Sequence, residues 1–329
     1  MAASLALKSH RKLVFALRIL LVMIVGLMAL GAGVRAMNAG LSCPDWPLCF
    51  GKVIPDFHPA VWFEFVHRAY AGLVAILFFG VSLVIWTSKT TGASAKRAAA
   101  LGFIFLFLQI AAGALTVLWG VKWATVTSHL MLATLFFVCV LWMLYAIRPS
   151  VQEAKASAPS WVKFAAGFLS IAVFTQIFLG GVVASTFAGS VCVDWPLCNG
   201  QWVPTWQGAI GHQIIHRFVA YGLAVALLAF TIVLNAKKNA TWMTPQLLRL
   251  SRWSALVVFL QVGVGVANLM LFIPAWLTVA HQSVAILLLA INIRVFLVAR
   301  VLAAAPTRAV AHESGVTISG VQTFGGVSG

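Results

Sequence analysis

The sequence predicts an all-α integral membrane protein. Its eight transmembrane helices form two parallel-repeat four-helix bundles, related by a pseudo-twofold axis along the membrane normal. Three observations carry this. Of the 329 residues, 62% are hydrophobic and only 9% are charged. A soluble domain is about one-quarter charged, so a surface this apolar needs the bilayer as its solvent. Eight apolar runs, roughly 13–34, 62–86, 99–119, 123–147, 162–186, 210–235, 252–272 and 276–300, each approach the ~20 residues that cross a hydrocarbon core. They must be helical, because lipid offers no partner to a free backbone amide. Finally, the chain contains one stretch twice. Cys43-Pro44-Asp45-Trp46-Pro47-Leu48-Cys49, Pro55, Glu64 and His67-Arg68 recur as Cys192-Val193-Asp194-Trp195-Pro196-Leu197-Cys198, Pro204, Gln213 and His216-Arg217, each 149 positions on. Self-similarity in one register fixes an architecture.

The elements follow in order. Met1 to Lys12 is short and basic, as signal peptides are at their start. The run that follows is longer than a signal's apolar region and lacks a small-residue cleavage site, so it is expected to be a retained first span. No long Arg/Ser-rich transit peptide precedes it, which favours a bacterial source. Four spans complete an N-terminal half over 1–150. The polar, Ala/Ser-rich link from Pro149 to Pro159 marks the boundary, and four more spans fill 151–305. Residues 306–329 are small and polar, and are expected to be disordered. Four spans per half is an even number, so both halves enter from the same side and the repeat is parallel.

Lysine and arginine orient the chain. Lys8, Arg11, Lys12, Arg18, Lys89, Lys96, Arg97, Arg148, Lys155, Lys163, Lys237, Lys238, Arg249, Arg252, Arg300 and Arg308 fall on one side. The other side holds Arg35, Lys52 and Lys122 with acidic Asp45, Asp56, Glu64 and Asp194. Both termini are therefore expected in the cytoplasm of a bacterial inner-membrane protein, with the cysteine loops in the periplasm or outside. The net charge of +16 lies in short clusters bordering apolar runs, which points to anionic membrane lipid and away from nucleic acid.

Four of the eight histidines lie within repeated spans. His67 pairs with His216, and His129 on span 4 pairs with His281 on span 8. Each lies a few residues inside the outer boundary, roughly 6–10 Å deep at 1.5 Å per residue. Ionisable groups in a bilayer are costly and mark function. Two histidines per half suit a haem iron, which takes axial imidazoles from opposite faces, between the apolar walls of a bundle. A bare zinc or copper site usually needs three or four ligands, and only Glu64 lies at ligand spacing beside a histidine. Interhelical hydrogen bonding is the bland alternative. Gln109-x-x-x-Gly113, Gln176-x-x-x-Gly180 and Gln261-x-x-x-Gly265 read most simply as helix packing, with small residues at close contacts and amides bonding across helices. Contact with a bound ligand is the second reading. His58 and His212 break the repeat, His10 and His312 look solvated, and Cys139 reads as a small core residue.

The eight spans, the histidines on spans 2, 4, 6 and 8, Glu64-x-x-His67 and the outward cysteine loop resemble the haem A synthase family over nearly the whole chain to about residue 300. The resemblance implies oxidation of the C8 methyl of haem O to a formyl group, giving haem A for terminal oxidases. It further implies that His216 and His281 ligate a resident haem b, and that His67 and His129 hold haem O and then haem A. The haem O-producing farnesyltransferase and oxidase assembly factors are the implied partners, and an oligomer is compatible with it.

The residues add an asymmetry of their own. Glu64 stands where the second half has Gln213, one helical turn from the histidine and on its face. Methyl oxidation releases protons, and a carboxylate can accept one whereas an amide cannot. Glu64 is therefore the expected catalytic residue. Each cysteine pair, Cys43-Cys49 and Cys192-Cys198, closes a small loop facing an oxidising compartment, so a disulfide is its expected state. The disulfide is either a staple or a redox-active pair. Arg68 and Arg217 are expected to point away from the haem next to them, as interfacial anchors or propionate partners. Two other functions fit the same pattern, a di-haem b quinol-oxidising electron carrier and a haem transporter or chaperone.

Overall fold

The computed structural model describes residues 2–147 and 157–304. The expected disordered tail, 306–329, and most of the link expected between the halves lie outside the described residues. The elements are α1 (Ala2–Ala36), α2 (Pro59–Thr87), α3 (Ala93–Leu118), α4 (Trp123–Ala146), α5 (Ser160–Ser185), α6 (Gly208–Ala236), α7 (Pro245–Met270) and α8 (Ala275–Ala304), with one 3₁₀ turn at Ala188–Ser190. All eight α-helices are long and apolar enough to cross a membrane, and the described chain is all-helical apart from two isolated bridges. It is a multi-pass membrane protein.

The helices start and stop for local reasons. Pro59 and Pro245 open α2 and α7, where the missing N–H costs nothing. The Thr244 side chain accepts the Leu247 N–H to cap α7. Gly120, at φ 82°, turns the chain between α3 and α4. Three helices begin well ahead of their apolar runs, α3 at Ala93, α7 at Pro245 and α1 furthest of all. Helix α1 runs back to Ala2, well before the apolar run at 13, because hydropathy marks where lipid begins and not where helical hydrogen bonding must.

Helices adjacent in sequence pack together, and α1, α4, α5 and α8 close the middle. A continuous core holds Leu17, Ile24, Phe78, Met143, Leu227, Leu234 and Leu289 at 0–2% exposure. Outward-facing Phe15, Ile76, Phe107, Phe164 and Ile232 are exposed, as lipid contact requires. Lipid is as apolar as leucine, so packing and interhelical hydrogen bonds must hold the helices together. Ser254 donates to Asn292 Oδ1 (3.1 Å) between α7 and α8, and Thr231 to the Ser251 carbonyl (2.8 Å) between α6 and α7. Three bonds tie α1 and α4 to α5 and α8. Arg35 donates to the Ala184 carbonyl (3.0 Å), Thr127 and Ser185 share a bond of 3.0 Å, and Gln282 donates to the Met28 carbonyl (2.9 Å).

Candidate functional site

The two cysteine loops fold alike almost atom for atom. Disulfides join Cys43 to Cys49 and Cys192 to Cys198. Each loop ends in a bridge, Cys49 to Lys52 and Cys198 to Gln201. Asp45 accepts the N–H groups of Phe50 (2.6 Å) and Gly51 (2.8 Å), and Asp194 those of Asn199 (2.5 Å) and Gly200 (2.8 Å). The Gly51 N–H, then that of Phe50, holds the Asp45 carboxyl below the usual aspartate range, with Arg68 adding to the effect. Gly200, Asn199 and Arg217 do the same for Asp194. Both loops turn through a left-handed pair, Phe50-Gly51 and Asn199-Gly200. Asparagine suits that conformation and phenylalanine does not.

Arg68 and Arg217 bind these loops. Arg68 donates to the carbonyls of Asp45 (2.8 Å), Leu48 (2.9 Å) and Cys43 (3.3 Å). Arg217 donates to those of Asp194 (3.1 Å), Leu197 (2.7 Å) and Cys192 (3.3 Å). The guanidinium fork is spent on loop carbonyls, because the loop folds back over the helix. Glu64 joins this network. It pairs with Arg68 at 2.5 Å through Oε1 and accepts the Cys43 N–H at 2.9 Å through Oε2. It is 4% exposed. The bond from Cys43 to Glu64 has no counterpart between Cys192 and Gln213 among the described residues.

The four histidines sit one layer below, each against a glycine of the preceding helix. A methyl group placed on Gly31 would lie 2.9 Å from His67 Cε1, and one on Gly113 2.9 Å from His129 Cε1. On Gly180 it would lie 3.2 Å from His216 Cε1, and on Gly265 2.8 Å from His281 Cε1. Only glycine lets these rings sit so close to the helix. Three glycines come with a glutamine one turn earlier, and that amide reaches the same ring. Gln176 Nε2 lies 2.9 Å from His216 Nδ1, and Gln261 Nε2 lies 3.2 Å from both ring nitrogens of His281. Gln109 Nε2 lies 3.3 Å from His129 Nε2, and His129 Nδ1 donates to the Gln109 carbonyl at 3.1 Å. The Gln-x-x-x-Gly pattern was visible in sequence. Its target was not, because which helix faces which is a property of the packed bundle.

The rings of His216 and His281 meet edge-on, their planes 74° apart and their centroids 6.5 Å apart. Two imidazoles each about 2 Å from one metal place their centroids roughly 6 Å apart, so this pair has the span of a bis-imidazole iron. The buried amide oxygens of Gln109, Gln176 and Gln261 have no hydrogen-bond partner. The Nε2 atoms of these amides are the ones within reach of the rings. The glycine seats and the ring separation fit haem. Among the described residues no three His, Cys, Asp or Glu side chains gather to hold a bare ion.

Other histidines depart from expectation or stay peripheral. His10, expected to be solvated, has Nε2 2.6 Å from the Ile147 carbonyl at the end of α4. His212 Nδ1 lies 3.3 Å from Thr186 Oγ1. His58 is exposed before α2, and Cys139 is buried and free, as expected of a core residue.

Comparison with known proteins agrees with this geometry. A protein named Heme A synthase from Shouchella clausii (strain KSM-K16) is 32% identical over 222 residues, 66% of this chain and 72% of that protein. One of the same name from Halalkalibacterium halodurans is 31% identical over 225 residues, 66% of this chain and 73% of that protein. A third, from Shewanella oneidensis, is 29% identical over 319 residues, 84% of this chain and 94% of that protein. The family model described as cytochrome oxidase assembly protein, COX15-CtaA, matches residues 15–60 and 55–293. With two histidine pairs seated on glycines in an eight-helix membrane protein and this match along most of its length, the chain belongs to the COX15-CtaA family of cytochrome oxidase assembly proteins.

Proposed function

We propose that this chain is a membrane-bound haem A synthase, an oxidoreductase that converts the C8 methyl of haem O into the formyl group of haem A for terminal oxidase assembly. The observation that carries it is the paired seating of histidines on glycines in a chain of this family. His216 and His281 hold a resident haem b in the C-terminal half, 151–305. His67 and His129 hold haem O, and then haem A, in the N-terminal half, 1–150. When bound, the resident haem supplies one-electron redox chemistry. The halves are parallel four-helix repeats. Both termini lie in the cytoplasm and the cysteine loops lie outside the inner membrane, as the lysine and arginine distribution supports. The haem O-producing farnesyltransferase is the natural donor of substrate.

Glu64 is the proton acceptor in this reading. It lies on the substrate half, one turn from His67, and Arg68 is its counter-ion. Oxidation of a methyl group releases electrons and protons together, and a fixed carboxylate gives a proton somewhere to go. Its bonds to Arg68 and Cys43 favour a second role, holding the cysteine loop over the pocket. Two substitutions separate the roles. Glu64→Gln keeps the shape and one acceptor oxygen. It is expected to retain both haems and to abolish haem A, measured by solvent extraction and mass spectrometry. Normal haem A from Glu64→Gln alongside none from Glu64→Ala leaves Glu64 as a loop anchor only. Extracts of the parent protein containing haem b alone at both sites would support an electron carrier instead.

A further inference from the structure

The four histidine seats differ in one respect. Helices α3, α5 and α7 place Gln109, Gln176 and Gln261 one turn before the seat glycine, whereas α1 places Leu27 before Gly31. Leu27 is the mate of Gln176, 149 positions earlier, as Gly31 is of Gly180 and His67 of His216. The Nδ1 of His67 is buried and has no hydrogen-bond partner, alone among the four rings. The ring itself is seated like the others, within 2.9 Å of a methyl placed on Gly31. Its mate His216 has the Gln176 amide 2.9 Å from this nitrogen, and the Leu27 side chain offers no polar atom in that place. Leu27 is partly buried and packs on the core.

A partner on the second ring nitrogen fixes an imidazole's orientation and raises its basicity toward a metal. Losing such a partner typically costs about 10- to 100-fold in metal affinity. We propose that Leu27 is a positioning residue that leaves His67 untethered, making it the labile ligand through which the N-terminal pocket exchanges its haem. A synthase must release its product while keeping its cofactor. One unsupported ligand among four gives the two pockets different lifetimes without changing the ligand type. This rests on the reading above that His67 and His129 hold substrate while His216 and His281 hold the resident haem.

The test uses the full-length, haem-loaded protein with excess apomyoglobin as haem acceptor. Release of each haem type is followed by extraction and chromatography. Leu27→Gln is expected to slow loss of the farnesylated haem at least about tenfold, with haem b loss unchanged. The reciprocal Gln176→Leu, which buries no new polar group, is expected to speed haem b loss by a similar factor. A release rate for Leu27→Gln within twofold of the parent, with bis-imidazole spectra intact, overturns the inference. So does an unchanged haem b rate in Gln176→Leu. If the parent carries haem b in both pockets, the substrate assignment fails, but the same two rate ratios still decide whether Leu27 sets the lifetime of its pocket.

Discussion

The glycine seats give the most direct test of the ligand geometry, through Gly265→Ala. The added methyl would stand 2.8 Å from His281 Cε1. Carbon atoms in contact prefer about 3.5 Å or more, so the ring would have to retreat by about 0.7 Å. A free imidazole makes that move by a small rotation. One bound to iron does not, because metal–nitrogen distances hold to within about 0.2 Å. The clash should therefore fall on the haem-loaded state and spare the empty one. Overpacking of this size costs about 1–3 kcal/mol, or roughly 5- to 150-fold in haem affinity. Gly263→Ala is the control, since a methyl there meets nothing within 4 Å and carries the same gain in helix propensity. Gly180→Ala, at 3.2 Å from His216 Cε1, should fall between the two. The assay is haem content by pyridine haemochrome, with titration of haem into the stripped protein. If Gly265→Ala binds haem as tightly as Gly263→Ala, His281 is not an axial ligand seated on Gly265.

Two further outcomes concern the loops. Arg217→Lys loses the fork that spans three carbonyls, which a single ammonium cannot replace. It should lower stability by about 1–3 kcal/mol, read as a lower Tm and faster proteolysis of the second loop. An unchanged protease pattern would mean that the disulfide alone holds that loop. Asp45 has its carboxyl held below the ordinary range by the Gly51 and Phe50 amides. Its contribution is thus complete above the unfolded value of about 4 and is lost as pH falls through the lower folded value. The protection factors of the Phe50 and Gly51 amides, with the intrinsic pH dependence of exchange divided out, should be flat from pH 7 to 5 and fall only under stronger acid. A transition near neutrality would contradict it, and Asp45→Asn should remove the acid step.

Much of this molecule is legible in its sequence, for physical reasons that also mark where legibility stops. Span positions follow from hydropathy because lipid thickness is a ruler, yet helix α1 runs on beyond its apolar run because nothing in hydropathy ends a helix in water. Pairing the histidines by offset required no structure. The destination of Arg68 did, since it depends on how the cysteine loop folds back over α2, a contact between residues about twenty positions apart. Gln109, Gln176 and Gln261 were recognised as interhelical donors, but their acceptors emerge only once α3 meets α4, α5 meets α6 and α7 meets α8. The exception at Leu27 was invisible for a simpler reason. A leucine in a membrane helix draws no notice until the bond it fails to make is seen.

The rings of His216 and His281 come from α6 and α8, so this pair is split across the length of its half. The consequence is one of timing. As the chain emerges during synthesis, the second seat stays half-built until α8 enters the membrane. A chain stopped before Ala275 lacks the second ring altogether. Whatever two such rings hold between them can be held only after α8 has joined α6.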